Sequence, residues 1–203
     1  MSSGFCSSKR EMESITVQWE RIEAHLRSHP ALDESSKPFL NSGATEEEIV
    51  AAEAAVGVRF PEDFRASLER HNGQAREEVL LGMGALLSTR EIVEQWGVWN
   101  ELLEGGSFEE DFCSKPEPGV KANWWNSRWI PVTHDGGGDH DCIDMDPAEG
   151  GTVGQIIEMW HDDDIRPLRA PSFLSWLTAA ASGLEDGTLV WEEGVGFFPK
   201  QQK

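Results

Sequence analysis

Six aspartates, Asp135, Asp139, Asp141, Asp162, Asp163 and Asp164, fall within thirty residues of one another, with His140, Cys142 and His161 among them. Clustered carboxylates are the ligands hard cations prefer, so calcium is the first chemistry to test. An EF-hand loop needs acids at alternate positions, a central Gly and a Glu at the twelfth place. In the run Asp135-Gly136-Gly137-Gly138-Asp139-His140-Asp141 a Gly holds the third position, and Pro147 falls late in the loop. The run reads as a hairpin with acidic tips, and His161-Asp162-Asp163-Asp164 as a solvated turn; no metal or other cofactor is expected. Nucleophilic catalysis fares no better. No G-x-S-x-G elbow and no Gly-rich phosphate loop followed by Lys is present. His140 and Cys142, two apart on a strand, are not expected to touch directly, and Cys142 reads as a small buried hydrophobe. The chain is therefore expected not to be an enzyme. What these acids can do is mimic phosphates along one rim and attract a basic protein.

Tryptophan is the second unusual resource, with nine in the chain. Trp19 and Trp176 lie on apolar helical faces and are expected in the core. Trp99, Trp124 and Trp125 are harder to bury together, because adjacent residues on an extended segment face opposite ways. One of the three is expected at the surface as an interface anchor, where truncation typically costs about 2 kcal/mol or more.

The elements that must position these groups follow from periodicity. Trp129 to Asp164 reads as three short strands joined by two turns, an antiparallel meander with one face buried. Before it, Ile15, Trp19, Ile22 and Leu26 have helical spacing over residues 15–29, and Pro30 stops the helix. Thr45-x-x-Glu48 and Ser88-x-x-Glu91 are capping boxes that start two further helices, and Gly57 suits a left-handed cap. Pro61 opens another helix, ended by Asn72-Gly73, with His71 as a helix-end residue. Residues 79–87 read as a strand and turn. Pro171 begins a last helix, ended by Gly183, and Leu189-Val190-Trp191 adds a short strand. Helices, then strands, then a helix make an α+β fold with a central antiparallel sheet flanked by helices. Residues 1–14 are expected to be disordered, 15–198 to form one domain, and 199–203 to be a flexible tail.

Composition narrows the partners. Seventeen Lys+Arg against 37 Asp+Glu give a formal charge of −20 over 203 residues. That surface repels phosphate backbones, so neither nucleic acid nor an anionic membrane is an expected partner. Cys6, Cys113 and Cys142 are odd in number and widely spaced, which supplies no disulfide framework and suits a reducing cytoplasm. No stretch reaches the roughly 20 apolar residues of a membrane span.

Four segments taken in order carry a family resemblance: GATEEEIVAAEAAVGVRFPEDFRASLERHNGQ; LLGMGALLSTREIVEQW; WIPVTHDGGGDHDCIDMDP with GTVGQIIEMWHDDD; and APSFLSWL. Together they resemble the SUKH superfamily, the group of the fungal Smi/Knr cell-wall regulators, over about residues 15–185. The resemblance implies an α+β fold with a central antiparallel sheet and no catalytic residues. Bacterial members are similar to immunity proteins that block a cognate polymorphic toxin, often a nuclease or deaminase; fungal relatives are regulatory hubs with long arms. The compact chain points first to an immunity protein binding a basic toxin domain, and second to a regulatory adaptor that docks a cytoplasmic partner. Asp135, Asp139, Asp141, Asp162, Asp163, Asp164, Trp99, Trp124 and Trp125 are the expected contact residues.

Overall fold

The computed structural model describes residues 3–33, 37–108 and 113–200, with side chains from Ser14 onward. Four strands form the central antiparallel sheet in the order β3-β5-β6-β8: β3 (Trp129–Pro131), β5 (His140–Asp144), β6 (Gln155–Met159) and β8 (Leu168–Ala170). Ile130 pairs with Ile143, and Ile143 with Ile156, so one face carries an isoleucine row into the main core. The other face carries Trp129, Cys142, Ile157 and Met159 into a second, tryptophan-rich core.

Both faces of the sheet are thus covered, where alternation predicts one solvated face. Every residue of β5 and β6 is buried, including His140, Asp141, Asp144, Gln155 and Glu158. The polar half of the alternating pattern is there, but it is turned inward and largely satisfied locally, Asp141 Oδ1 being left without a hydrogen-bond partner among the described residues. Asp144, for instance, accepts hydrogen bonds from Trp129 Nε1 at 3.1 Å and Gln155 Nε2 at 2.9 Å. A buried carboxylate without such donors would be costly.

The main core is closed by helices α1 (Ser3–Ser28), α3 (Glu62–Arg70) and α5 (Phe173–Asp186), with α1 packed on both of the others. Ile15, Trp19, Ile22 and Leu26 form the buried stripe of α1, as their spacing requires. The helix runs from Ser3, twelve residues before the apolar stripe. Lys9, Arg10, Glu11 and Met12 are good helix formers, and extending a packed helix costs far less than nucleating one.

Helix α2 (Glu46–Val56) has the Thr45/Glu48 capping box and a left-handed Gly57 at φ 72°; α4 (Thr89–Glu104) has the Ser88/Glu91 box. These two helices pack side by side. Helix α5 starts after the N-cap Ser172 and runs through Gly183 to a left-handed Gly187. Gly183 is therefore not a terminator. A Cβ there would sit 2.9 Å from Leu189 Cγ, so the glycine lets the hairpin β9 (Leu189–Glu192) and β10 (Gly196–Pro199) lie close against the helix. The second hairpin strand occupies residues expected to be loose after Phe198. Lys200 N–H still bonds Thr188 O at 2.8 Å, and residues 201–203 lie outside the described residues.

The two ends of the described chain meet. His25 in the last turn of α1 and His29 just after it lie edge-on against Phe197 with centroids 5.6 and 5.4 Å away, and Trp191 lies 5.9 Å from His29. Two short pairings complete the fold: β1 (Ala85–Leu86) with β4 (Thr133–His134), and β2 (Lys115–Pro116) in parallel with β7 (Ile165–Arg166). Among the described residues no helix is long and apolar enough to cross a membrane.

Candidate interaction surface

The β4–β5 turn holds the first acidic group. Asp135 Oδ1 accepts the backbone N–H groups of Gly137, Gly138 and Asp139 at 2.8–2.9 Å. Gly136 and Gly138 adopt φ of 88° and 120°, which closes the turn around that one oxygen. Partial burial pushes the Asp135 carboxyl up, but the three donors and the nearby His134 outweigh it and hold the group below the ordinary carboxylate range. The side chain is exposed and negatively charged.

The second group, Asp162 to Asp164, follows β6 and abuts the first. Asp139, buried at 8% exposure, joins them by accepting His161 N–H and His161 Nδ1, both at 2.8 Å. The side-chain bond to Asp139 raises the imidazole's pKa and so favours its protonated form. Asp162 approaches the same ring at 4.0 Å; Asp139, His161 and Asp162 thus come together, but Nδ1 is already engaged by Asp139. Asp162 and Asp163 are exposed, whereas Asp164 pairs with Lys115 Nζ at 2.5 Å.

Asp141 is not on this rim. Strand β5 turns it into the main core at 0% exposure, beneath Gly82, where a Cβ would lie 2.0 Å from Asp141 Oδ2. Met83 N–H and Thr133 Oγ1 donate to that oxygen at 2.7 and 2.9 Å. Burial pushes its pKa up to about 6, against the pull of those two donors. Asp141 fixes the 82–84 turn to the sheet and offers nothing to a partner.

The tryptophans divide differently from the expectation. Trp99 and Trp125 are both interior, stacked on one another with centroids 5.7 Å apart and an interplanar angle of 24°. Trp99 Nε1 donates to His140 Nε2 at 3.0 Å, and His140 Nδ1 faces Thr133 O at 2.6 Å. An indole N–H only donates, so Nε2 accepts and Nδ1 carries the proton. Burial first of all, with His134 nearby, lowers the His140 pKa to about 4, and the ring is neutral. Trp124 is half-buried and lies 5.0 Å under the Arg166 guanidinium. Trp124 packs against the same cluster that holds Trp125, and Trp99 of α4 supplies the cover for Trp125 that the local sequence does not reveal. Asp135, Asp162 and Asp163 thus remain as one exposed acidic edge, while Asp141, Trp99 and Trp125 belong to the interior. Cys142 is buried between Asp141 and Arg166 with its thiol pushed well above the ordinary range by burial.

The family described as SMI1 / KNR4 family (SUKH-1) matches residues 43–179, from the loop before α2 into α5. This chain belongs to the SMI1 / KNR4 family. Within it, a glucan synthesis regulatory protein of Neurospora crassa is 24% identical over 85% of this chain and 39% of its own length. A cell wall biosynthesis/cell cycle regulator of Schizosaccharomyces pombe is 28% identical over 74% of this chain and 33% of its own length. A cell wall assembly regulator of Saccharomyces cerevisiae is 25% identical over 84% of this chain and 40% of its own length. This SMI1 / KNR4 chain therefore spans a third to two fifths of the length of these three relatives. These relatives are regulators of wall synthesis, which backs the regulatory reading of the family over the immunity reading placed first from the sequence.

Proposed function

We propose that this chain is a non-catalytic regulatory domain of the cell-wall-regulator type, which acts by binding a basic protein. The observation that carries the proposal is its kinship with regulators of glucan synthesis and wall assembly in three fungi. The side chains that could have served chemistry support it. Cys142 and Asp141 are buried, and His140 has both ring nitrogens committed to Trp99 and Thr133. What is left for solvent is the edge formed by Asp135, Asp162 and Asp163, on a chain of charge −20. Such a surface steers a positively charged partner toward it, raising association rates toward about 10⁸ M⁻¹s⁻¹ at low salt.

Deleting the gene in its own host and measuring cell-wall glucan tests the regulatory role. Altered glucan, restored by the intact gene but not by an Asp135→Asn/Asp162→Asn/Asp163→Asn variant, is the expected result. Unchanged wall composition overturns it. The charge also favours a second occupant of the same edge, a basic toxin domain neutralised by this chain. In that case deletion is tolerated only when a neighbouring toxin gene is removed too.

A further inference from the structure

We propose that the groove between α2 and α4 is a docking site for one amphipathic helix of a partner protein, with lysines or arginines beside its apolar stripe. The proposal rests on the protein-binding reading above and assigns that reading a second surface, away from the aspartate edge.

Ala51, Ala52 and Ala55 of α2 and Val93 of α4 line an open groove of about 470 Å³. On α4 the stripe continues through Arg90, Val93, Gly97 and Glu101, at the three- and four-residue spacing of one helix face. Ala51 and Ala55 are exposed. Helices with small residues at the contact approach one another to the short end of the usual 8–10 Å, and a third helix can seat its ridge there.

Gly97 gives the independent argument. It sits in the middle of a 16-residue helix, where glycine is a poor choice. Among the described residues no atom lies within 4 Å of where its Cβ would be. Nothing inside the fold uses the missing side chain, unlike Gly183, whose absent Cβ makes room for Leu189. Gly97 lies one turn beyond Val93 on the same side of α4, next to the groove's last lining residues.

Charge selects the occupant. Glu48 on α2 and Glu94 on α4 line the groove and are exposed. The one cation among its lining residues, Arg90, is drawn toward Glu94 at 3.8 Å. A rim of this sign favours a positive helix and repels a second copy of a chain that carries −20.

The test uses the full chain and an amidated leucine/lysine peptide of about 18 residues with leucines at helical spacing. A peptide of the same composition, scrambled so that it has no apolar face, is the control. In about 150 mM salt, where exposed charges more than ~8 Å apart are largely screened, the helical peptide is expected to shift amide resonances within residues 48–55 and 89–98. Gly97→Ala should raise Tm by about 3 °C, because the helix gains and nothing clashes. Gly97→Leu should leave the protein folded and weaken the peptide about tenfold, the usual consequence of overfilling a close contact. Shifts scattered over the acidic surface, equal binding of the scrambled peptide, or undiminished binding to Gly97→Leu would each overturn the groove. Scattered binding would still leave the wall-regulator reading to the deletion experiment above.

Discussion

His140 and Asp141 are chain neighbours on β5, and burial on its own side of the sheet shifts each toward its neutral form. Their effects on stability have opposite signs. Asp141 titrates near 6 when folded and near 3.8 when not. Between those values the folded protein holds a proton that the unfolded chain lacks, so stability falls as pH rises. His140 titrates near 4 when folded and near 6.5 when not. There the unfolded chain holds the extra proton, and stability rises with pH. From pH 4 to 6 the two slopes largely cancel. Asp141→Asn keeps an acceptor for Met83 N–H and removes one slope. Chemical denaturation should then show stability climbing from pH 4 to 6 by on the order of 3 kcal/mol more than in the parent. Parallel curves for the two proteins would disprove the opposed titrations. That these residues are interior could not be read locally. An Asp-x-Asp-x pattern on a strand looks like a solvated face, and only α4 and the 82–84 turn, distant in sequence, reveal what covers it.

At the scale of elements, local rules were legible and close approaches were not. Both capping boxes and the Gly57 cap follow from short-range hydrogen bonding, and the residues announce them. Gly183 reads as a helix end by the same rules, yet it marks where the hairpin touches α5. A paired substitution separates the two helical glycines. Gly183→Ala should lower stability by about 1 kcal/mol through its contact with Leu189, whereas Gly97→Ala should raise it, and thermal unfolding of both variants decides. The tryptophan core gives a second check. Trp99→Ala leaves a cavity and an unpaired His140 Nε2, and should cost about 4 kcal/mol. Trp99→Phe keeps the stacking on Trp125 and should cost about 1 to 2 kcal/mol for the lost hydrogen bond. An interface anchor would behave otherwise, losing partner affinity with stability intact.

For the molecule as a whole, fold class and family were readable because they rest on the order of elements and on motifs spread over the chain. The choice between a toxin's antagonist and a wall regulator was not. Net charge specifies the sign of a partner and nothing finer, and compactness separated the branches poorly, since this chain matches only 33–40% of the regulators' lengths. The charge itself makes a physical prediction. Association with a basic partner should slow as salt rises from about 50 to 200 mM, by stopped-flow mixing, and the slowing should shrink when Asp135, Asp162 and Asp163 become asparagine. A rate indifferent to salt would remove steering from the account.

The meeting of α1 with the β9–β10 hairpin reaches further than its few ring contacts. The match to the SMI1 / KNR4 family description spans residues 43–179, yet Trp19, Ile22 and Leu26 before it and Leu184 and Phe197 after it are core residues. A fragment trimmed to the similar region would lose the lid at both ends and expose the apolar floor beneath. The bounds of the family match and those of the packed unit are drawn on different maps of this chain, and an expression experiment planned on the first should yield aggregate where one planned on the second yields protein.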